Sequence, residues 1–175
     1  VTGVQTCALP IFITLTFSDE YLAIREEVNQ EYKKPWVKNP YSVYVQDYQL
    51  FMKRFRKKHG KDIRFYHAAE YGQTCKVCKK AHYIHEKEKL TCWKPGLGRP
   101  HHHACIFNFD FQDKKEFFYS NAGYWVYTSD LLQSLWVCPK SKISMGHCTV
   151  TDMTWRTAAY TARYVMKKMN GKLAE

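Results

Sequence analysis

The sequence lacks any run of about 18 apolar residues, the length that a bilayer-spanning helix needs, so we expect no segment to cross a membrane. Acidic residues are also scarce, with 16 Asp and Glu against 27 Lys and Arg, for a net charge of +11. In a chain that is 16% aromatic, this excess favours nucleic acid as the partner over an anionic membrane surface. The 175 residues are enough for one domain with its own core.

A disulfide framework is not indicated either. The seven cysteines are an odd number, and only Cys75 and Cys78 are closely spaced, which fits a reducing cytoplasm. These two residues could hold a structural Zn²⁺ together with Cys92 and either His85 or His82. Because the spacing is irregular, a flexible basic loop is the alternative for this stretch.

The stretch GRPHHHACIFNF, residues 98–109, organises the rest of the chain. Turn residues precede a β-prone apolar run, which predicts a strand that enters the core. On a strand, His101 and His103 share one face, while His102 points the other way. Two imidazoles about 6 to 7 Å apart can bind one cation, although a single histidine near a strand is usually structural.

Periodicity predicts the other elements. We expect strands over residues 12–17, 62–72 and 144–154, helices over residues 42–59, 128–136 and 154–171, and a loop over residues 110–127. The strand at 12–17 either supports the histidine strand or is plain core. In the first long helix the apolar stripe is Val45, Tyr48, Phe51, Met52 and Phe55, and Gly60 ends it. Its basic face is either a solvated surface or a DNA backbone contact.

The last helix carries Tyr160 and Tyr164, which lie four residues apart and therefore on one face. Lys167 and Lys168 follow in its final turn. Without further context, such a tyrosine pair is more often packing than chemistry.

The combination of GRPHHHACIF, an acidic strand end in AAEYG and YTARYVMKK resembles the HUH endonuclease superfamily. It most resembles the replication initiation proteins of small single-stranded DNA phages, the gokushovirus branch of the Microviridae. The resemblance implies an α+β fold with an antiparallel sheet, the His-x-His strand central and helices packed on it. His102 replaces the hydrophobic residue usual in this motif and is expected to face away from the metal.

The resemblance also implies the site residues. His101, His103 and Glu70 would bind Mg²⁺ or Mn²⁺, a ligand set that suits these ions, although Glu70 could instead be an exposed strand-end carboxylate. Tyr160 and Tyr164 would be the nucleophiles, with Lys167 as a nearby catalytic cation. The residues expected to contact DNA are Arg54, Lys57, Lys58, Arg99, Arg163 and Lys168.

The implied function is initiation of rolling-circle replication by site-specific nicking and rejoining of single-stranded DNA through a 5′-phosphotyrosine. The implied partners are the phage origin and the host helicase and polymerase, in the cytoplasm of a bacterial host. A non-catalytic zinc-containing single-stranded nucleic-acid-binding protein and a single-tyrosine HUH transposase or relaxase are the alternatives.

The resemblance also suggests how the chain is divided. Residues 1–11 resemble a translated sequencing adapter and are expected to be non-native, since they have neither the basic start nor the apolar core of a signal peptide. Residues 12–172 would form the endonuclease domain, with the Cys/His-containing insertion at 73–97.

Overall fold

The computed structural model describes residues 9–22, 43–71, 99–139 and 141–170, with the backbone alone for Tyr71 and residues 164–170. The strands are β1 (Ile11–Thr16), β2 (Arg64–Tyr71), β3 (Pro100–Phe107), β4 (Lys115–Tyr119), β5 (Trp125–Thr128) and β6 (Cys148–Asp152). The helices are α1 (Val45–His59), α2 (Asp130–Leu135) and α3 (Trp155–Asn170). This content confirms the α+β class.

The strands form one antiparallel sheet in the order β2-β3-β1-β6-β5-β4. The histidine strand β3 is paired on both sides, by β1 and by β2. It is nevertheless second from the edge, and β1 and β6 occupy the middle of the sheet. The expected central position of the histidine strand is therefore not confirmed.

One face of the sheet carries the hydrophobic core. Alternate residues of the strands, such as Ile13, Ile106 and Val150, are fully buried there with the helices α1 and α2. Four of the five predicted stripe residues of α1 are buried, and Gly60 ends the helix at a φ of 113°. Val45 is the exception, 57% exposed, because it is the first residue of the helix.

The opposite face of the sheet is covered by α3, which contacts β2 and β3. Small polar side chains make this contact close. Thr157 and Thr161 of α3 are buried, and the Thr161 hydroxyl lies 3.8 Å from the sulfur of Cys105. The sheet thus lies between the helices α1 and α2 on one side and α3 on the other.

The prediction of a loop over residues 110–127 is wrong, because β4 and most of β5 lie there. All five residues of β4 are exposed, and the register shifts between Glu116 and Phe118. The consecutive aromatic residues Phe117, Phe118 and Tyr119 therefore show no alternation that would indicate a strand.

The strand β1 begins one residue before the expected start of the domain at residue 12, and the origin of residues 1–11 stays a prediction. Ile11, assigned from sequence to the non-native segment, is 1% exposed and pairs with Ile106 and Asp152. The carbonyl of Pro10 accepts a hydrogen bond from the Met153 amide. Both residues are part of the fold.

The predicted zinc ligands Cys75, Cys78, His85 and Cys92 lie outside the described residues, as does the insertion at 73–97. Cys105, Cys138 and Cys148 are buried free thiols. In the part of the chain that the structure describes, every helix is too short or too polar to cross a bilayer.

We predict that Gly146→Ala lowers the free energy of unfolding by about 2 kcal/mol. A Cβ at this position would lie against the Thr16 carbonyl oxygen and 2.7 Å from the Ser18 nitrogen. Both are backbone atoms beside β1 and cannot rotate away. Urea denaturation followed by circular dichroism measures the change. Ile143→Ala, at a 52% exposed side chain nearby, is the control and should shift stability by under about 0.5 kcal/mol. Equal stabilities of the two variants would contradict the prediction.

Candidate metal centre

The pairing of β2 with β3 places Glu70 directly opposite His101. Alternation along β3 puts His103 on the same face, which is the face that α3 covers. The Nε2 atoms of His101 and His103 lie 2.7 Å and 2.9 Å from the same carboxylate oxygen, Oε1 of Glu70. The three predicted ligands are therefore together in the structure.

These three residues fit a divalent ion. One potential ligand atom from each lies within 4.8 Å of the others. Two imidazoles and one carboxylate form a mixed nitrogen and oxygen set that suits several divalent metals. Burial lowers the pKa of His103 below its ordinary value, although Glu70 opposes this effect. A lowered pKa favours the neutral imidazole, the form that binds a metal.

Both histidines are oriented through their other ring nitrogen. Nδ1 of His101 lies 2.9 Å from the Arg99 carbonyl oxygen, which can only accept, so Nδ1 carries the proton. Nδ1 of His103 lies 3.0 Å from the Thr14 hydroxyl of β1. Such contacts to a carbonyl or hydroxyl fix the tautomer and the ring angle of a metal-binding histidine.

Two aromatic side chains contact the His103 ring. Phe12 of β1 stacks on it at a centroid distance of 5.4 Å, and Tyr160 of α3 meets its edge at 5.3 Å. Phe12 and Thr14 were not among the site residues predicted from sequence. Their spacing of two on a strand next to the histidines is the signal that identifies them, because both must share the histidine face.

Tyr160 reaches the same carboxylate. Its hydroxyl donates a hydrogen bond of 2.7 Å to Oε1 of Glu70, while 39% of the residue stays exposed. Tyr164 lies one turn further along α3, but its side chain and those of Lys167 and Lys168 are outside the described part. Their assignments stay predictions.

His102 faces away from this site, as predicted. It is fully buried on the core side, where its Nδ1 lies 2.9 Å from Nε2 of His67. His67 in turn stacks on Tyr48 of α1 at 3.7 Å. Neither His102 nor His67 belongs to the candidate metal site.

The predicted DNA-contacting residues fall on different sides of the sheet. Arg99 directly precedes the histidine strand and pairs with Asp19 at 2.8 Å. Arg163 is exposed on α3. Lys57 and Lys58 lie in the last turn of α1, on the core side. Arg54 also lies on α1, where its Nε donates to the Leu135 carbonyl of α2. Its contact with DNA stays a prediction.

Two phage replication proteins are similar to this chain in sequence. The chain is 27% identical over 167 residues to the replication-associated protein VP4 of Bdellovibrio phage phiMH2K, a match that covers 91% of this chain and 39% of that protein. It is 26% identical over 165 residues to the replication-associated protein ORF2 of Spiroplasma virus 4, covering 92% and 39%. The chain thus spans about two fifths of the length of these relatives. No family model and no solved structure matches. The two relatives confirm the resemblance to phage replication proteins.

We predict that Thr14→Val weakens binding of Mn²⁺ about 10-fold, because His103 loses the hydroxyl that orients it. Titration calorimetry measures the affinity, and Thr14→Ser should restore it. Thr16→Val is a matched control on the same face of β1, since its hydroxyl donates to the His147 carbonyl instead. Equal affinities for the Thr14→Val and Thr16→Val variants would show that Thr14 does not orient a ligand.

Proposed function

We propose that the protein initiates rolling-circle replication by cutting single-stranded DNA at an origin and joining the 5′ end to a tyrosine. The observation that carries this proposal is the convergence of His101, His103 and the Tyr160 hydroxyl on one oxygen of Glu70. A phenol beside such a ligand set is the combination that metal-assisted transfer of a phosphodiester to tyrosine requires. The names of the two similar phage proteins support a role in replication.

His101, His103 and Glu70 would hold the ion, Mg²⁺ or Mn²⁺. When bound, it would supply positive charge to the scissile phosphate and stabilise the transition state. The supporting contacts from Thr14 and Arg99 hold the ligands in place before the ion and the DNA arrive. This arrangement limits the reorganisation that binding demands.

Tyr160 is the proposed first nucleophile. A phenol has a pKa of about 10 and attacks poorly at neutral pH without help. Its hydroxyl already donates to Oε1 of Glu70, so this carboxylate orients the phenol oxygen towards the ligand set, and a water molecule would take up the phenol proton. As the new bond from phosphorus to the tyrosine oxygen forms, the bond to the 3′ oxygen breaks, and the leaving 3′ oxygen takes up a proton from water. The products are a 5′-phosphotyrosine and a free 3′-hydroxyl.

Tyr164 is the proposed second nucleophile, one turn or about 6 Å along the same helix. A complete cycle needs two transfers, one that opens the origin and one that releases the finished strand. Lys167 and Arg163 would stabilise charge on the phosphate or tyrosinate. Because the phosphotyrosine conserves the energy of the phosphodiester, the 3′-hydroxyl can reclose the strand without ATP.

The 3′-hydroxyl would be extended by a host polymerase, assisted by a host helicase, in the cytoplasm of the bacterial host. Arg99, Arg163 and Lys168 would contact the DNA backbone near the reacting phosphate. Lys57 and Lys58 lie on the other side of the sheet and would contact only DNA that wraps around the domain.

We predict that Tyr160→Phe and Tyr164→Phe each still form some covalent adduct on a short labelled single-stranded origin with Mn²⁺. Either tyrosine can reach the reacting phosphate after a modest adjustment of the helix. The double variant should form none, and each single variant should fail to turn over repeated circles. Adducts are measured on a denaturing gel.

Tyr66→Phe serves as the control for these tyrosine variants, because Tyr66 lies on β2 outside the cluster at Glu70 and is 41% exposed. It should form adduct like the wild type. If Tyr164→Phe completes the full cycle normally while Tyr160→Phe makes no first cut, the protein is a single-tyrosine enzyme.

We also predict that His101→Ala and His103→Ala each abolish cleavage but change DNA affinity by less than about threefold, since affinity comes mainly from phosphate contacts. Cleavage and fluorescence anisotropy are measured on the same oligonucleotide. His147→Ala, at an exposed histidine outside the cluster, should cleave normally. Normal cleavage by His103→Ala would rule out the proposed site.

A further inference from the structure

The start of α3 presents a tryptophan to solvent. Trp155 is 76% exposed, the highest value among the aromatic side chains that the structure describes. A large indole is normally well buried, because burial of its apolar surface stabilises the fold. Exposure on this scale leaves much of the indole surface available to a ligand.

Arg156 connects this tryptophan to the β4–β5 hairpin. Its guanidinium carbon lies 5.5 Å from the centroid of the Trp155 ring, and its Nη1 donates a 2.8 Å hydrogen bond to the Ala122 carbonyl in the hairpin turn. A guanidinium has five N–H donors, so this bond leaves others for a phosphate. The hairpin adds Tyr119 and Trp125 on either side of the turn, 58% and 40% exposed, with their rings 5.4 Å apart.

These residues lie next to the proposed nucleophile. Arg156 precedes Tyr160 by four residues on α3 and therefore shares its face, about 6 Å along the axis. A strand whose phosphate is at Tyr160 would therefore bring a neighbouring nucleotide to Arg156 and Trp155. Arg163, also exposed, lies on the far side of Tyr160.

The chemistry of this surface favours nucleic acid over a protein strand. Exposed aromatic rings next to an arginine are the groups on which unpaired bases stack. The alternative is that another chain adds a strand to the edge of β4. The register shift between Glu116 and Phe118, together with the charged Lys115 and Glu116, disfavours such pairing.

We propose that Trp155 and Arg156, with the aromatic hairpin beside them, form a site that stacks a base of single-stranded DNA next to Tyr160. The proposal rests on the proposed function and specifies how the substrate is held. Trp155 supplies a flat surface that accepts any base, and Arg156 binds the adjoining phosphate. The site would hold the strand on one side of the cut without reading its sequence.

The test compares two labelled oligonucleotides of about 15 nucleotides, a size that one domain can span, by fluorescence anisotropy. One is oligo-dT, and the other has the same number of phosphates but abasic sugars. Trp155→Ala should weaken binding of oligo-dT on the order of tenfold and leave binding of the abasic strand unchanged. Trp155→Phe should keep most of the affinity for oligo-dT. Ile143→Ala, which removes an exposed apolar side chain elsewhere, should match the wild type with both strands.

Three results would overturn the site. The first is that Trp155→Ala binds both oligonucleotides like the wild type, and the second is that it loses affinity equally for both. The third is that the wild type self-associates in sedimentation while Trp155→Ala is monomeric, which would assign this surface to a protein contact. An unchanged thermal unfolding curve for Trp155→Ala excludes misfolding as the cause of any loss.

The same variants separate this inference from the proposed function. If no protein forms a covalent adduct but oligo-dT binding depends on Trp155, the stacking site holds and the proposed chemistry fails. If adducts form normally while Trp155→Ala binds oligo-dT and the abasic strand with the affinities of the wild type, the proposed chemistry holds and the stacking site fails.

Discussion

One carboxylate oxygen links the separate elements of this site. Oε1 of Glu70, on β2, is contacted by two histidines of β3 and by the Tyr160 hydroxyl of α3. The arrangement depends on the register of β2 against β3, because a slip of one residue would turn Glu70 to the opposite face. It also depends on the close seat of α3 on the sheet, which the small buried side chains Thr157 and Thr161 allow.

One face of the sheet carries the hydrophobic core, and the other carries the polar residues of the candidate site. The core side buries large apolar rings, among them Phe51, Phe55 and Trp136, and this burial stabilises the domain. The α3 side can therefore carry imidazoles, a carboxylate and hydroxyls without being the main source of stability. The division also separates charges, since the basic end of α1 lies on the core side, away from Glu70. Under the proposed function, DNA at Tyr160 would therefore be held by the groups of α3, the start of β3 and the nearby hairpin.

Local patterns in the sequence predicted the parts of the fold that follow one simple rule. Alternation separated His101 and His103 from His102, and the helical period identified the buried residues of α1 apart from Val45. The β4–β5 hairpin was not predicted, because its aromatic residues are exposed and its register shifts. The sequence of the hairpin therefore lacks the alternation of apolar and polar residues that indicates a strand. The position of β3 within the sheet was not predictable either, because strand order depends on pairings between residues far apart in the chain. The same holds for the contact of Tyr160 with Glu70, which are 90 residues apart.

The sequence left two alternatives for the strand β1: a part of the hydrophobic core, or a support for the histidine strand. The structure shows that β1 does both. Ile13 and Leu15 point to the core side and are fully buried. Phe12 and Thr14, which alternate with them, point to the α3 side, where they stack on and hydrogen-bond to the same histidine, His103. Because a strand has two faces, anchoring in the core and orientation of a candidate ligand do not compete for residues. Burial of Ile13 and Leu15 fixes β1 in the core, and the Phe12 and Thr14 side chains of the same strand hold the His103 ring in place.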